Sequence, residues 1–316
     1  MEPSSYATNR YLAAKRSVDD RALHRGVLDG FRRQLQTVAH RPLRVLELGA
    51  GLGNMVTRLW DLELIRDAHY TLLDRDAESL REAAVQLTAW GDTVGDLQGD
   101  VGLVRLRADA GELEVTFADA ELFGYLRDCP PATFDVVLAH AVLDLVDVPS
   151  LLPLLWRAVT PGALAWLTIN FDGETILLPE LPLDREIMHL YHRSMDLRVI
   201  DGRAAGHSKT GRRLLEQLPA SGATVIDAGC SDWVVRPACG GYPEDESYFL
   251  HHIVHTIDTE LRAHKELDPA RFAAWVKARH TQIEAGQLVY IAHQLDMLAR
   301  APGAAVGADA AGSGAR

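Results

Sequence analysis

The sequence predicts an α/β protein built on a doubly wound, mostly parallel sheet, and three observations lead there. Short apolar runs alternate with amphipathic segments from residue 43 to residue 169, the βαβαβ rhythm of a parallel sheet with right-handed crossovers. The runs are continuous rather than alternating, as strands buried on both faces read. A tight group of glycines follows the first run directly, in RVLELGAGLGNM over residues 44–55, where an open parallel sheet turns from strand to helix.

Residues 12–37 come first, with Leu12, Val18, Leu23, Val27, Leu28, Phe31 and Leu35 at helical spacing among charges. They predict one or two amphipathic helices, stopped by Pro42. Leu43 to Leu48 reads as a buried strand, Asn54 to Leu64 as a helix, and Tyr70 to Leu73 as a second strand ending on Asp74. Ala77 to Trp90 carries strong helix formers. GDTVGDLQGD is turn-rich, and VRLRADAGELEVTF reads as a hairpin around Ala110-Gly111 ending at Asp119. Phe134 to Ala139, Val148 to Val159 and Ala163 to Ile169 continue the rhythm as strand, helix and strand. Residues 171–220 break it with Pro179, Pro182, a helix near 183–196 and a glycine- and arginine-bearing loop, and read as an insert over the carboxyl edge. Thr224 to Val235 reads as a strand, 244–263 and 268–285 as helices, and Gln287 to Gln294 as a last strand. The expected organisation is a helical cap at 1–40, a core at 41–170, the insert at 171–220 and a completing segment at 221–300. A disordered tail at 301–316 ends it, with no large apolar residue beyond Val306.

A chain of 316 residues with 47% hydrophobic content buries a full core. The net charge of −12 argues against broad binding of nucleic-acid phosphates, which needs a cationic footprint. Cys129, Cys230 and Cys239 are an odd count without a CxxC pair, so neither a disulfide scaffold nor a four-cysteine zinc site is expected. No apolar run reaches membrane-spanning length, and the N-terminus lacks a signal-peptide core. The expectation is a cytoplasmic protein, monomer or homodimer, that handles a small molecule and engages neither membrane nor nucleic acid.

The glycine turn reads G-x-G-x-G after Glu47, unlike the G-x-G-x-x-G that holds a pyrophosphate on a helix N-terminus. A carboxylate there repels a diphosphate and suits a ligand with a cationic end. With ELGAGLG, Asp74 after the second strand, Asp119 after the third and AHAVLDLVD after the fourth, the chain resembles the class I S-adenosylmethionine-dependent methyltransferases. The resemblance implies a Rossmann-like, seven-stranded sheet with S-adenosyl-L-methionine as cofactor. Gly49, Ala50, Gly51, Gly53 and Asn54 would pack against its methionine and ribose, and Glu47 would organise its ammonium group. Asp74, beside Arg75, would accept both ribose hydroxyls. Asp119 and Ala120 would recognise the adenine, while His140 and Ala141 would face cofactor and substrate. A short carboxylate ending a buried strand is also, on chemistry alone, a natural acceptor for a cis-diol.

His140, His192 and His207 are the candidate bases for a hydroxyl acceptor. Tyr191, Arg193 and Arg212 belong to a basic, aromatic cluster in the insert that suits an anionic substrate group, and Ser208 reads as a helix cap beside it. His251 and His255 share a helix face but lack a third ligand, so no metal is expected. The family's Asn/Asp-Pro-Pro-aromatic loop for planar amines is replaced by Ala139-His140-Ala141-Val142. The expected function is therefore methyl transfer to an oxygen or nitrogen of a small molecule. The rivals are a protein or nucleic-acid methyltransferase, a non-catalytic S-adenosylmethionine-binding protein and an NAD-linked oxidoreductase.

Overall fold

The fold was taken from a computed structural model, which describes residues 3, 5–38, 41–90, 103–108, 111–200, 202–238 and 240–303. The turn-rich stretch 91–100 and residues 304–316 of the expected tail lie outside the described residues, as does Cys239. Helices α1 (Thr8–Ala22) and α2 (Arg25–Leu35) precede the sheet. Strand β1 (Leu43–Leu48) is followed by α3 (Asn54–Asp61), β2 (Ala68–Asp74), α4 (Ala77–Trp90), β3 (Leu103–Ala108) and β4 (Gly111–Asp119). Next come α5 (Leu122–Asp128), β5 (Phe134–His140), a 3-10 turn (Leu143–Leu145), α6 (Val148–Ala158) and β6 (Val159–Leu178).

Among the described residues the main sheet has nine strands, where the resemblance implied seven. Strands β4, β2, β1, β5 and β6 lie side by side in parallel. Strand β11 (Val289–Arg300) runs antiparallel to β6, and both β9 (Thr224–Cys230) and β10 (Trp233–Val235) pair with β11. The two additional strands have simple origins. The hairpin partner β3 extends the β4 edge, and the single strand expected over 224–235 is broken at Ser231-Asp232 into two.

The segment expected to open the insert is sheet. Strand β6 runs on through Phe171 to Leu178, held by antiparallel pairing with β11 as far as Leu178↔Val289. Helix α7 (Asp184–Asp196) and a small hairpin, β7 (Val199–Ile200) and β8 (Arg203–Ala204), stand over the carboxyl edge. Helix α8 (Thr210–Ala220) returns to the core, burying Leu214 and Leu218. Helices α9 (Glu246–Leu261) and α10 (Pro269–Glu284) precede β11; Asp268 caps α10 by accepting the Arg271 N–H, with Pro269 in the first turn.

Strand parity sorts the core into two layers. Val45, Tyr70, Val136 and Leu138 face the layer of α1–α4, α9 and α10, where Phe31 stacks on Trp166 at 4.7 Å between ring centres. Leu46, Leu48, Val137 and Ala139 face α5, α6 and α8. Each fully buried aliphatic or aromatic side chain contributes about 1.5–3 kcal/mol, so these two layers fix the strand ends that build the site. Parity also decides two functional candidates in advance: Glu47 lies on the face of Val45, and His140 on the face of Val136 and Leu138.

Candidate functional site

A cavity of about 480 Å³ opens at the carboxyl ends of β1, β2, β4 and β5. Six of the residues singled out in the sequence line it: Gly49, Gly51, Asp74, Arg75, Ala120 and Ala141. The turn after β1 is wound tightly, with Gly49, Gly51 and Gly53 all at positive φ (62°, 52° and 68°), a conformation that costs any side chain. At Gly49 an added Cβ would sit 2.5 Å from Val142 Cγ2, so the β1 and β5 loops touch through the absent side chain. The non-glycine Ala141 also stands at positive φ (53°), its N–H held by the Thr168 carbonyl at 2.9 Å. Strain of this kind persists where surrounding structure enforces it and gathers at ligand sites.

Asp74 is half-buried in the cavity wall. Its Oδ2 accepts the Gly51 N–H at 2.8 Å and its Oδ1 the Asp76 N–H at 3.0 Å. Each oxygen keeps acceptor capacity toward the cavity. Asp76, not Asp74, serves the start of α4, accepting from Glu78 N–H and Ser79 Oγ. Across the cavity, Glu121 caps α5 through the N–H groups of Phe123 and Gly124. The Arg203 guanidinium lies 4.7 Å from the Phe123 ring centre, an attractive cation–π distance. The β7–β8 hairpin is thereby clamped over the end of the cavity lined by Ala120 to Phe123.

Other sequence candidates lie elsewhere. Ala50 and Asn54 support the turn from behind: Ala50 N–H bonds the Leu73 carbonyl, and Asn54 Nδ2 reaches the Leu12 carbonyl at 3.4 Å. Asp119 is exposed at the end of β4, paired in register with Asp74, and does not line the cavity. Glu47 is buried beneath the turn and accepts from Tyr70 Oη at 2.7 Å. Burial pushes its carboxyl up to about 8, against the opposing effects of the Tyr70 hydrogen bond and Arg58, so at pH 7 it is mostly protonated and does not face the cavity as an anion.

His140 is locked in a sealed network. Its Nδ1 meets Thr168 Oγ1 at 2.8 Å and its Nε2 meets Asp19 Oδ2 at 3.0 Å. Asp19 also takes Lys15 Nζ at 3.0 Å and Trp233 Nε1–H at 2.9 Å. Burial opposes ionisation of Asp19, but Lys15 and His140 more than offset it and hold the carboxyl well below its usual range. Burial lowers His140 to about 4, outweighing Asp19. A neutral ring between these partners donates from Nε2 to the carboxylate and accepts at Nδ1 from the threonine hydroxyl, leaving no lone pair for a substrate proton.

His192 lines a different, open cleft of about 900 Å³ that shares no lining residue with the first, and its Nε2 meets Thr175 Oγ1 at 3.1 Å. His207 pairs with Asp196 at 3.1 Å. The expected anion grip is occupied from within: Asp172 accepts the Arg212 Nε–H at 2.9 and 3.0 Å and the Arg212 backbone N–H at 2.7 Å. Ser208 does not cap α8; the cap position is Lys209, and Ser208 N–H goes to Asp196. Arg193 is exposed and paired with Glu266 at 3.2 Å. In the HHIVH stretch, His251 Nδ1 lies 2.8 Å from His280 Nδ1, while His252 and His255 stack on Tyr11 and Tyr6 at 4.2 and 3.9 Å.

Sequence reading missed a polar group beside the glycine turn. Asp144, in the 3-10 turn after β5, has a buried Oδ1 with no hydrogen-bond partner among the described residues. Burial raises its carboxyl, opposed first by a hydrogen bond from its own backbone N–H and then by Lys15 and Arg198. Tyr290 belongs to the core layer of α1–α4, α9 and α10, and Tyr11 and Tyr191 pack against that layer. Burial is the main cause lifting all three phenols, Tyr191 to about 12.

No protein-family profile and no curated protein matches the chain. Solved structures similar to it include phosphoethanolamine N-methyltransferase 2 from Haemonchus contortus, at 14% identity over 94% of this chain, with a TM-score of 0.46. The match spans 57% of that protein's chain. An S-adenosylmethionine-dependent methyltransferase from Methanosarcina mazei is 13% identical over 85% of this chain and 97% of its own (TM-score 0.45). Geranyl diphosphate C-methyltransferase from Streptomyces coelicolor is 9% identical over 87% and 76% (TM-score 0.44). At identities this low the likeness is one of fold alone. Among the described residues no helix is long and apolar enough to cross a membrane.

Proposed function

We propose that the chain is an S-adenosylmethionine-dependent methyltransferase that methylates an oxygen or nitrogen of a small molecule. The observation that carries this reading is the half-buried Asp74 carboxylate, fixed by Gly51 and Asp76 N–H groups and facing a cavity floored by the glycine turn. Two fixed oxygens with spare lone pairs are the acceptors a ribose cis-diol needs. Gly49 and Gly51 give the methionine portion close backbone approach, and Ala120 to Phe123 form an apolar-walled slot of suitable character for a purine.

Bound S-adenosylmethionine supplies an electrophilic methyl group on a cationic sulfur. The chain's own contribution is alignment and exclusion of water, which serve a displacement that disperses charge. Leu12 of α1 and the β7–β8 hairpin line the cavity from above and act as its cover. The second cleft and its His192 stand apart from this function.

Titration calorimetry tests the reading. S-adenosylhomocysteine should bind and NADH should not; the reverse result points to an oxidoreductase. Asp74→Ala should weaken S-adenosylhomocysteine binding by about 1–3 kcal/mol, the worth of hydrogen bonds to a charged acceptor. Unchanged affinity in the folded variant removes Asp74 from the site.

A further inference from the structure

We propose that the chain forms a two-fold dimer through an open face of the sheet on β6, β10 and β11, each copy laying Ile176, Ile291 and Val234 on the same residues of the other. The inference concerns the antiparallel half of the sheet and is independent of the methyltransferase reading.

Strand register places the face. Ile291 pairs with Ile176 on one side and with Val234 on the other, and Val289 pairs with Leu178. The alternate positions Leu177, Tyr290, Val235, Ala292 and Trp233 belong to the buried layer of α1–α4, α9 and α10. Alternation turns the first set to the opposite side. There helix α8 covers the sheet as far as Asp172, where Arg212 is bound. Beyond that point Ile176, Leu178 and Val234 stand 46%, 38% and 47% exposed, three of the eight large apolar side chains exposed among the described residues. Exposed apolar side chains scattered singly are ordinary, whereas a group on one face marks a contact surface.

The charges at the ends of β10 select a second copy as the occupant. Asp232 and Arg236 each lie two residues from Val234, so an extended chain puts all three on one face. Asp232 gives Oδ1 to His293 Nδ1 at 2.8 Å and to the Gln294 N–H at 3.2 Å, and its Oδ2 has no donor among the described residues. The exposed Arg236 reaches the Pro237 carbonyl at 3.4 Å and no carboxylate among the described residues. A two-fold axis across the strands, over the row Ile176–Ile291–Val234, sets every strand antiparallel on its own copy. The apolar row then meets itself, and Asp232 of each copy comes opposite Arg236 of the other, making the same pair twice. Sheets packed face to face lie about 10 Å apart, a gap that these two side chains span together. An axis along the strands would instead lay β6 on β10 and bring Glu174 over Asp232, two carboxylates together. The charges therefore choose the first arrangement. Five apolar positions a side fall well short of the roughly 20–30 residues of a standard interface, so the dimer is weak and concentration-dependent. None of these residues lines the cavity, and Glu174 and Ile176 border the second cleft.

Sedimentation equilibrium of the full chain tests the proposal, with a reductant present because Cys230 is exposed. The dimer fraction should rise between about 10 μM and about 1 mM, and Val234→Asp should weaken association about tenfold or more. Asp232→Arg and Arg236→Asp should each weaken it similarly, since either change sets like charges opposite in both pairs. Mixed in equal amounts, these two variants should recover the dimer, because each cross-pair is then an arginine with an aspartate. Should Asp232→Arg not fold, Arg236→Asp and Val234→Asp carry the test. A monomer throughout the range, association that survives Val234→Asp or Arg236→Asp, or a mixture that associates no better than its components overturns the proposal. S-adenosylhomocysteine affinity is measured separately; its absence defeats the methyltransferase reading and leaves the dimer standing.

Discussion

Asp74 and His140 end strands on either side of β1, and the structure gives these neighbours opposite characters. Beside Asp74 the chain leaves a cavity, and the carboxylate holds two backbone N–H groups with capacity to spare. Around His140 the chain leaves no cavity: Asp19 and Thr168 occupy both ring nitrogens, and Lys15 and Trp233 share the Asp19 carboxylate. Position at the carboxyl edge of a parallel sheet is common to both. What separates a ligand-facing group from a structural one is unspent hydrogen-bonding capacity. By that criterion Asp74 faces the cavity with acceptor capacity to spare, whereas His140 fastens α1 to the sheet.

The sharpest way to break this contrast is to cut the fastened side. Asp19→Ala strands a buried lysine, a histidine and an indole N–H, and loss of one partner from a buried ion pair costs about 3–5 kcal/mol. Urea unfolding should register that loss. A loss below about 1 kcal/mol would mean the network is not fastening the helix.

On the cavity side, Gly49→Ala drives a methyl into Val142 at a backbone angle unfavourable to L residues, for about 1–3 kcal/mol. Gly162 has a similar φ of 76° but open space around it. Gly162→Ala should therefore cost less and leave S-adenosylhomocysteine affinity untouched, while Gly49→Ala weakens it. Equal behaviour of the two would place Gly49 outside the site.

Much of this was legible in the sequence, and the failures have physical reasons. Helix α4 falls on the expected residues 77–90, and the glycine turn with Asp74 marked the cavity. The break read from Pro179 and Pro182 was set too early, at residue 171, because the antiparallel partner that carries β6 on to Leu178, strand β11, is over a hundred residues away. His140 shares its strand face with Val136 and Leu138, a period-two signal available from sequence, but its carboxylate partner lies 121 residues upstream. Arg212 advertised a free cation because Asp172, 40 residues earlier, was hidden in the supposed insert. Asp144 was in plain view within AHAVLDLVD, yet its orphaned oxygen is a property of packing alone.

Glu47 offers a gentler probe, through pH. Its folded pKa, pushed up to about 8 from 4.5, means the folded state holds a proton that the unfolded state releases. Stability from this residue is full below the unfolded pKa and falls as pH rises toward the folded one. His140 acts oppositely, adding stability as pH rises from about 4 to 6.5, as do His251 and His252. Between pH 6.5 and 8 those histidines finish titrating in the unfolded state and do so identically in Glu47→Gln, so the comparison with that variant isolates Glu47. There the wild-type unfolding free energy should fall by about 1 kcal/mol per pH unit relative to Glu47→Gln, near the limit for one proton. Parallel pH profiles would show that Glu47 is ionised in the fold, restoring the anion that the glycine turn first suggested.

The smallest effect belongs to Arg193, which the sequence placed at the substrate and the structure places at the second cleft beside His192, apart from the cavity. Its guanidinium and Glu266 meet at 3.2 Å with more than half of each side chain exposed, and pairs of that kind contribute about 0.2–1 kcal/mol. Arg193→Ala should shift the urea midpoint slightly and leave S-adenosylhomocysteine binding unaltered. A weakened S-adenosylhomocysteine affinity would reveal that the second cleft is coupled to the cavity through α7. In that event the distinction between spent and unspent capacity would hold only for the unliganded chain, and the Arg193–Glu266 pair would be a latch on the site.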